Sequence, residues 1–423
     1  MPVASHLAAR TLERVAPARL GTSFRWLLGS SWTSNLGDGL ALAAGPLLVA
    51  SETRDPFLVA LAVVLQRLPW LLFGLLAGVA ADRLDRRLLV VRVLLARTAI
   101  LLALCAAILL DSSGIGVVLA ALFLLGTTET FADTASQTLL PMVVARDELG
   151  LGNARVMAGF VTVNQLVGPP VGAALFAAGA VIPFACQGAC ALASAAMASR
   201  LVLPEHGVER RALAHVGREV VEGLRWLWGD AAVRTLAITI VTFNVTFGAA
   251  FSVLVLYAIE RLGSGEVGFG LLTTASAIGG LVGTVSYGWL AARVRLGDLM
   301  RAGLLVETCT HAALALTTTP GVAMVVMFVF GAHAFVWGTT SRTIRQRSVP
   351  LDLQGRVGSV YLIGVQGGIV VGSILGGLIA GVGGVTAPFW FAFVGSAALV
   401  VVLWPQLTNI AHREDPAPPA LPA

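Results

Sequence analysis

From residue 24 onward the chain alternates long apolar runs with short polar breaks. A helix that crosses a bilayer needs about 20 mostly apolar residues. Twelve runs meet that length: 26–49, 57–80, 88–110, 115–142, 155–178, 181–202, 234–258, 267–291, 299–317, 321–341, 358–380 and 387–406. None shows the period-two alternation of an outer-membrane strand. The pattern therefore predicts an all-α integral membrane protein with twelve transmembrane helices. The longest polar stretch, 203–233, falls near the middle. It divides the chain into a segment 1–23, a six-helix bundle 24–202, a linker 203–233, a second bundle 234–406 and a tail 407–423.

The linker has its own pattern. In "REVVEGLRWLWGD", Val220, Val221, Leu224 and Trp228 recur at helical spacing, opposite Arg218, Glu222 and Arg225. That predicts an amphipathic helix lying on a membrane face. The tail "EDPAPPALPA" is Pro-rich and is expected to be disordered. Residues 1–23 lack the short apolar core and small-residue cleavage site of a secretory signal, so the first run is expected to stay in the protein.

Composition agrees with the pattern. Of 423 residues, 57% are hydrophobic and 12% charged, against roughly 25% charged in soluble domains. The mean hydropathy is +0.86. All 28 basic residues are Arg. If the N-terminus and every second loop are cytoplasmic, 24 of the 28 fall on that side and only Arg54 and Arg261 on the other. Arg67 and Arg97 lie within runs. This asymmetry orients the bundle with both termini cytoplasmic. It also explains the pI of 9.5 by topology, with no nucleic-acid surface. Cys105, Cys186, Cys190 and Cys309 lie in apolar runs without His or carboxylate at ligand spacing, so no metal is expected.

The two halves repeat. Asn35 and Gly39 match Asn244 and Gly248 at an offset of 209, as Gln137 and Pro141 match Gln346 and Pro350. Gly78 and Arg83 match Gly288 and Arg293 at 210, and "GPPVGA" at 168–173 matches "GSILGG" at 204. Four matches in one order predict a six-plus-six duplication into two pseudo-symmetric bundles.

Two stretches carry a mechanism. "GVAADRLDRR" places five charges in six positions between the second and third runs. It resembles the loop signature of the major facilitator superfamily, G-x-x-x-D-R-x-G-R-R, with Gly78, Asp82, Arg83, Arg86 and Arg87 matching and Asp85 in place of the second glycine. Gly78 would let another helix approach closely, and Asp82 would accept from helix N-terminal amides or pair with Arg. The resemblance implies a conformational latch. The second-half copy keeps Gly288 and Arg293 but has Ala292 where the Asp would stand, so the latch should be asymmetric. "GFVTVNQLVGPPVGA" resembles the superfamily's antiporter motif, with Gly159, Gly168, Pro169 and Gly172 matching and Ala173 replacing the last glycine. The resemblance associates this bent helix with export. "RQRSVPLDLQGRV" at 345–357 resembles the matching loop of a subgroup containing macrolide and siderophore exporters.

Ionisable residues inside a bilayer are costly and are functional candidates by default. Asp38, Arg67 and Glu129 lie at similar depth in the first, second and fourth runs, with Asp133 one turn beyond Glu129. These carboxylates are the expected proton or cation acceptors, with Arg67 as counter-charge. In the fourth run, many proton-coupled antiporters of the superfamily carry an Arg that is absent here. Asn35, Asn244, His333 and Trp337 are further candidates to line a cavity. Glu307 and His311 are expected to pack or snorkel at the periphery, and Arg97 to snorkel to the cytoplasmic face.

No HExxH, phosphate-binding Gly-rich loop or nucleophile with a base is present, and the loops are short. The expected protein is a multi-pass transporter of the bacterial cytoplasmic membrane, without enzymatic activity or cofactor, monomeric, with the lipid bilayer as its surroundings. It would export a small amphipathic molecule by alternating access, powered by the proton gradient. An importer or facilitator on the same fold is the first alternative, and a membrane-embedded sensor or enzyme the remote one.

Overall fold

The computed structural model describes residues 13, 16–203, 213–350 and 353–411. Among these residues there is no strand. Twelve long helices stand on the twelve predicted runs: α1 Thr22–Glu52, α2 Pro56–Arg83, α3 Arg86–Leu109, α4 Ile115–Val143, α5 Leu149–Ala178, α6 Ile182–Ala198, α7 Ala231–Phe251, α8 Gly265–Ala291, α9 Leu296–Leu316, α10 Pro320–Ser348, α11 Gln354–Gly383 and α12 Ala387–Ala411. Ten of them are long and apolar enough to cross a membrane. The other two are α6, apolar but 17 residues long, and α1, which has 31 residues and a polar run at 30–38.

Local chemistry sets the helix starts. Asp55 caps α2 by accepting from the Phe57 amide at 2.9 Å, with Pro56 at the first helical position. Asp230 caps α7 through the amides of Ala232 and Val233, both at 3.0 Å. The seventh run is less regular than its hydropathy suggests. Helix α7 ends at Phe251, and after a turn the chain forms Leu254–Leu256 and a π-helical Tyr257–Arg261. That segment is tied to the end of α9. The Tyr257 hydroxyl donates to the Leu314 carbonyl at 2.7 Å, and Arg261 donates to the carbonyls of Leu316 and Thr317. Arg261 thereby serves carbonyls that a helix end leaves without partners.

Contacts divide the chain into two units, Met1–His215 with Ser264–Thr274, and Val216–Gly263 with Ala275–Ala423. In the first, α1 packs on α5 and α6, α3 on α4 and α6, and α2 on α4. In the second, α7 packs on α11 and α12, and α9 on α10 and α12. These are corresponding pairs, and the close contacts correspond too. Gly126 of α4 lies on the Gln66 backbone of α2, as Gly331 of α10 lies on the Ser276 backbone of α8. Gly168 and Gly172 of α5 lie on Gly39 and Leu40 of α1, as Gly372 and Gly376 of α11 lie on Val245 and Ala249 of α7. The duplication read from four short matches is thus a duplication of packing.

The linker helix, Leu213–Gly229, forms as expected. Among its described side chains, Val221, Leu224 and Trp228 point away from the protein, and Leu227 is buried with Val233, Val349 and Val357. Gly223 lies against the Arg356 backbone, and Glu222 pairs with Arg356 at 2.7 Å. The side chains of Arg218 and Val220 lie outside the described residues, as do 1–12 and the tail from 412.

Candidate substrate and coupling site

The bent helix is the first element of the site. Helix α5 is built of Leu149–Gly159, a π-helical Phe160–Val167, and Gly168–Ala178. Pro169 and Pro170 have no amide hydrogen to give to the preceding turn, which widens there. Both motif glycines after the bend serve the α1 contact. Gly159 makes room for the Trp32 indole, whose Nε1 donates to the Arg155 carbonyl at 3.1 Å. Asn164, buried in the π segment, donates to the Asn35 carbonyl at 3.3 Å. A Cβ at Gly39 would stand 2.6 Å from the Asn164 oxygen.

This packing holds α1 so that Asp38 faces the bundle interior. Its partner there is Arg97 of α3. The guanidinium and carboxylate form an ion pair, with side-chain exposures of 4% and 14%. Two sequence expectations are corrected at this point. Arg97 does not snorkel: it is the twelfth of the 24 residues of α3, about 17 Å from the nearest helix end. The counter-charge of Asp38 is Arg97, and Arg67 is half-buried without a hydrogen bond or ion pair among the described residues. The signal for Arg97 was its depth, which equals that of the other candidates.

Glu129 and Asp133 lie on α4, and their charges act on Arg97 together with that of Asp38. Arg67 in turn acts on Asp133. Glu129 is half-buried and Asp133 exposed. The first unit thus gathers three carboxylates around one deeply buried guanidinium, with a second guanidinium nearby.

The other candidates are placed differently. Asn35 and Asn244 spend their amides inside their own helices, on the Ser31 and Ile240 carbonyls at 2.8 and 2.7 Å. Asn244 is buried against Gly368 of α11, where it packs two helices together. Trp337 is also buried, stacked on Phe243 with centroids 5.5 Å apart and seated on Gly303. His333 reaches Glu307 across α9 and α10 at 3.0 Å, and Glu307 also holds His311 at 2.9 Å. Glu307 and His311 are 1% and 0% exposed. Of the two expectations for them, packing or snorkelling, they pack: both are enclosed within the protein.

The loop between α2 and α3 contains one surprise. Asp85, in place of the family glycine, caps α3 by accepting from the Leu88 amide at 2.9 Å. Its φ is −58°, a backbone region open to any residue. Arg86 donates to the Ala81 carbonyl at 3.0 Å and contacts the Met142 sulfur at 3.3 Å. Arg87 donates to the Leu201 carbonyl at 3.0 Å, fastening the loop to the end of α6. Arg83 is exposed. The side chain of Asp82 lies outside the described residues. The close approach expected at Gly78 is absent in this structure, since a Cβ there would meet nothing within 4 Å. Gly288 has the same open surroundings. Arg293 lies over the Trp289 ring at 4.6 Å and lines a cavity of about 450 Å³ with Arg295 and Arg347. It makes no ion pair among the described residues.

Comparison with known proteins decides which family these two matched six-helix units belong to. Residues 13–415 match the family described as "Transmembrane secretion effector". The chain belongs to this family of the major facilitator superfamily. Members are membrane transporters and the chain is a multi-pass membrane protein, not an enzyme. The multidrug efflux pump Tap of Mycolicibacterium fortuitum is 27% identical over 411 residues, covering 92% of this chain and 97% of that protein. The enterobactin exporter EntS of Shigella boydii serotype 4 is 26% identical, covering 84% and 85%. Among solved structures, the nucleoside transporter NupG (D323A mutant) superposes with a TM-score of 0.73 at 11% identity, covering 91% of this chain and all of that one. A bacterial homologue of the iron transporter ferroportin, in an inward-facing state, gives 0.70 at 16% identity, covering 92% and 98%. At these identities the two structures speak for the fold alone.

Proposed function

We propose that the protein exports a small amphipathic molecule across the bacterial cytoplasmic membrane in exchange for protons. The single observation that carries this reading is the buried Asp38–Arg97 pair with Glu129 and Asp133 around it. Counted formally, three carboxylates face two guanidiniums, Arg97 and Arg67. One negative charge is left over in a medium that disfavours it. A proton, or a cationic group on the substrate, neutralises that excess. Each would favour release of the other, which is the requirement of an antiporter.

Arg97 sets the order of events. It stays with Asp38 while Glu129 or Asp133 carries the proton. Arrival of a second positive charge weakens its hold and frees the carboxylates to lose their protons. Alternating access of the two units then moves the loaded side. Similarity to Tap and EntS supports an exporter, and their printed substrates, drugs and enterobactin, bracket the substrate class expected here. The positive-inside pattern supports both termini in the cytoplasm.

The test is a substrate-panel efflux assay in whole cells, with and without a protonophore. Wild type should extrude at least one amphipathic compound, and the protonophore should stop it. Asp38→Asn, Glu129→Gln and Asp133→Asn should each reduce or abolish the gradient-dependent part. Efflux that survives both the protonophore and all three substitutions would exclude proton antiport and favour a facilitator.

A further inference from the structure

The second unit contains a titratable cluster that the reading above does not use. Glu307 and His311 lie one turn apart on α9, and His333 comes from α10. Each Glu307 oxygen faces a different imidazole: Oε1 faces His311 Nε2 at 2.9 Å, and Oε2 faces His333 Nε2 at 3.0 Å. The Nδ1 atoms of both rings are buried, with no hydrogen-bond partner among the described residues.

We propose that Glu307, His311 and His333 form a second proton-binding site, which takes up one exchangeable proton in the second unit. The argument is one of charge. With both imidazoles neutral, each as its Nε2–H tautomer, the carboxylate leaves a net charge of minus one in a nearly sealed site. One added proton, at Nδ1 of His333, the less enclosed of the two rings, makes the cluster neutral. A second leaves it at plus one. Burial penalises both charged forms, so the cluster accommodates one proton and resists the next. A guanidinium in place of the imidazoles keeps its proton throughout this pH range and would not exchange it.

Among the described residues the surroundings contain no better counter-charge. The Tyr257–Arg261 segment meets the end of α9, where the Tyr257 hydroxyl and Arg261 donate to the carbonyls of Leu314, Leu316 and Thr317, and Glu260 is exposed. Helix α12, packed on α9, has no ionisable side chain. On α10 the next charges are Arg342, Arg345 and Arg347, more than two turns beyond His333. On α9, Asp298 pairs with Arg301 six or more residues before Glu307, and the thiol of Cys309 is on an exposed residue. Helix α7 contributes only Arg234, near its start.

The cluster also has a reporter. His333 meets Phe243 and Phe330 edge-on at 6.5 and 5.6 Å, and Trp337 stacks on Phe243. His333 Nδ1 and the Trp337 indole both border Gly303. An imidazolium at 333 therefore quenches Trp337.

The experiment uses the full chain in neutral detergent micelles, with no substrate. Fluorescence of wild type minus Trp337→Phe isolates Trp337 from the other eight of the nine tryptophans, and is titrated from about pH 5 to 9, the range in which imidazole ionises. We expect a single one-proton step, with emission falling at low pH. Glu307→Gln removes the charge that favours the imidazolium, so the step should move down by about one pH unit or more. His333→Gln should abolish it, and Asp38→Asn should leave it in place. A flat wild-type titration overturns the proposal outright, and decides the matter even if Glu307→Gln fails to fold. A step unmoved in Glu307→Gln, or lost in Asp38→Asn, overturns it as well. Loss of efflux in the first-unit variants does not bear on this readout.

Discussion

Arg97 of α3 and Asp38 of α1 form an ion pair at the middle of the first unit, both side chains almost wholly enclosed. Neither residue has a neighbour in sequence that announces the other. The pair exists because α1 and α3 both pack on α6, and α3 also packs on α4. Removing one partner from such a pair leaves a buried charge without compensation. Arg97→Gln should therefore destabilise the protein by about 3–5 kcal/mol, read as a lower thermal midpoint in detergent. Asp38→Asn with Arg97→Gln should recover part of the loss. Arg67→Gln, which breaks no ion pair, should stay within about 1 kcal/mol.

The glycines of the two signatures should behave oppositely. Gly172 rests on the Leu40 backbone, which cannot yield as a side chain can. Gly172→Val should cost about 3 kcal/mol or more, or prevent accumulation of folded protein. Gly78 has open surroundings inside α2. Gly78→Ala should be neutral or stabilising by up to about 1 kcal/mol, since Ala is the better helix former. Thermal melts of purified variants distinguish the two.

Asp85 gives a third test. As the N-cap of α3 it accepts from the Leu88 amide. Asp85→Ala should cost about 1 kcal/mol, and Asp85→Gly only a few tenths, because glycine also suits that position. An Ala variant as stable as wild type would show that the cap contributes nothing here.

The Glu222–Arg356 pair ties the linker helix to α11 across 2.7 Å, with both side chains more than a third exposed. Exposed pairs contribute little and are screened by salt. Glu222→Gln should lower stability by less than about 1 kcal/mol, and the difference should vanish in 1 M salt. Gly223→Val, which drives a side chain into the Arg356 backbone, should be the more damaging change at any salt concentration.

Sequence alone located the apolar runs on which the helices stand, to within several residues, along with the duplication and the irregular helix around Gly168–Pro169. Each rests on chain-local physics: apolar length against bilayer thickness, glycine and proline backbone preferences, and matches at a repeated offset. The carboxylates Asp38, Glu129 and Asp133 were legible too, because any charge in a bilayer must have a reason. Only the tertiary structure decided which charges meet. A helix apolar around its whole circumference has no polar face to fix its rotation. Depth along the chain was readable, but the direction each side chain points was not. For that reason Arg97, which depth alone did not single out, proved to be the partner of Asp38, Asn244 proved to pack two helices, and Glu307 drew two histidines from two helices into one enclosed cluster.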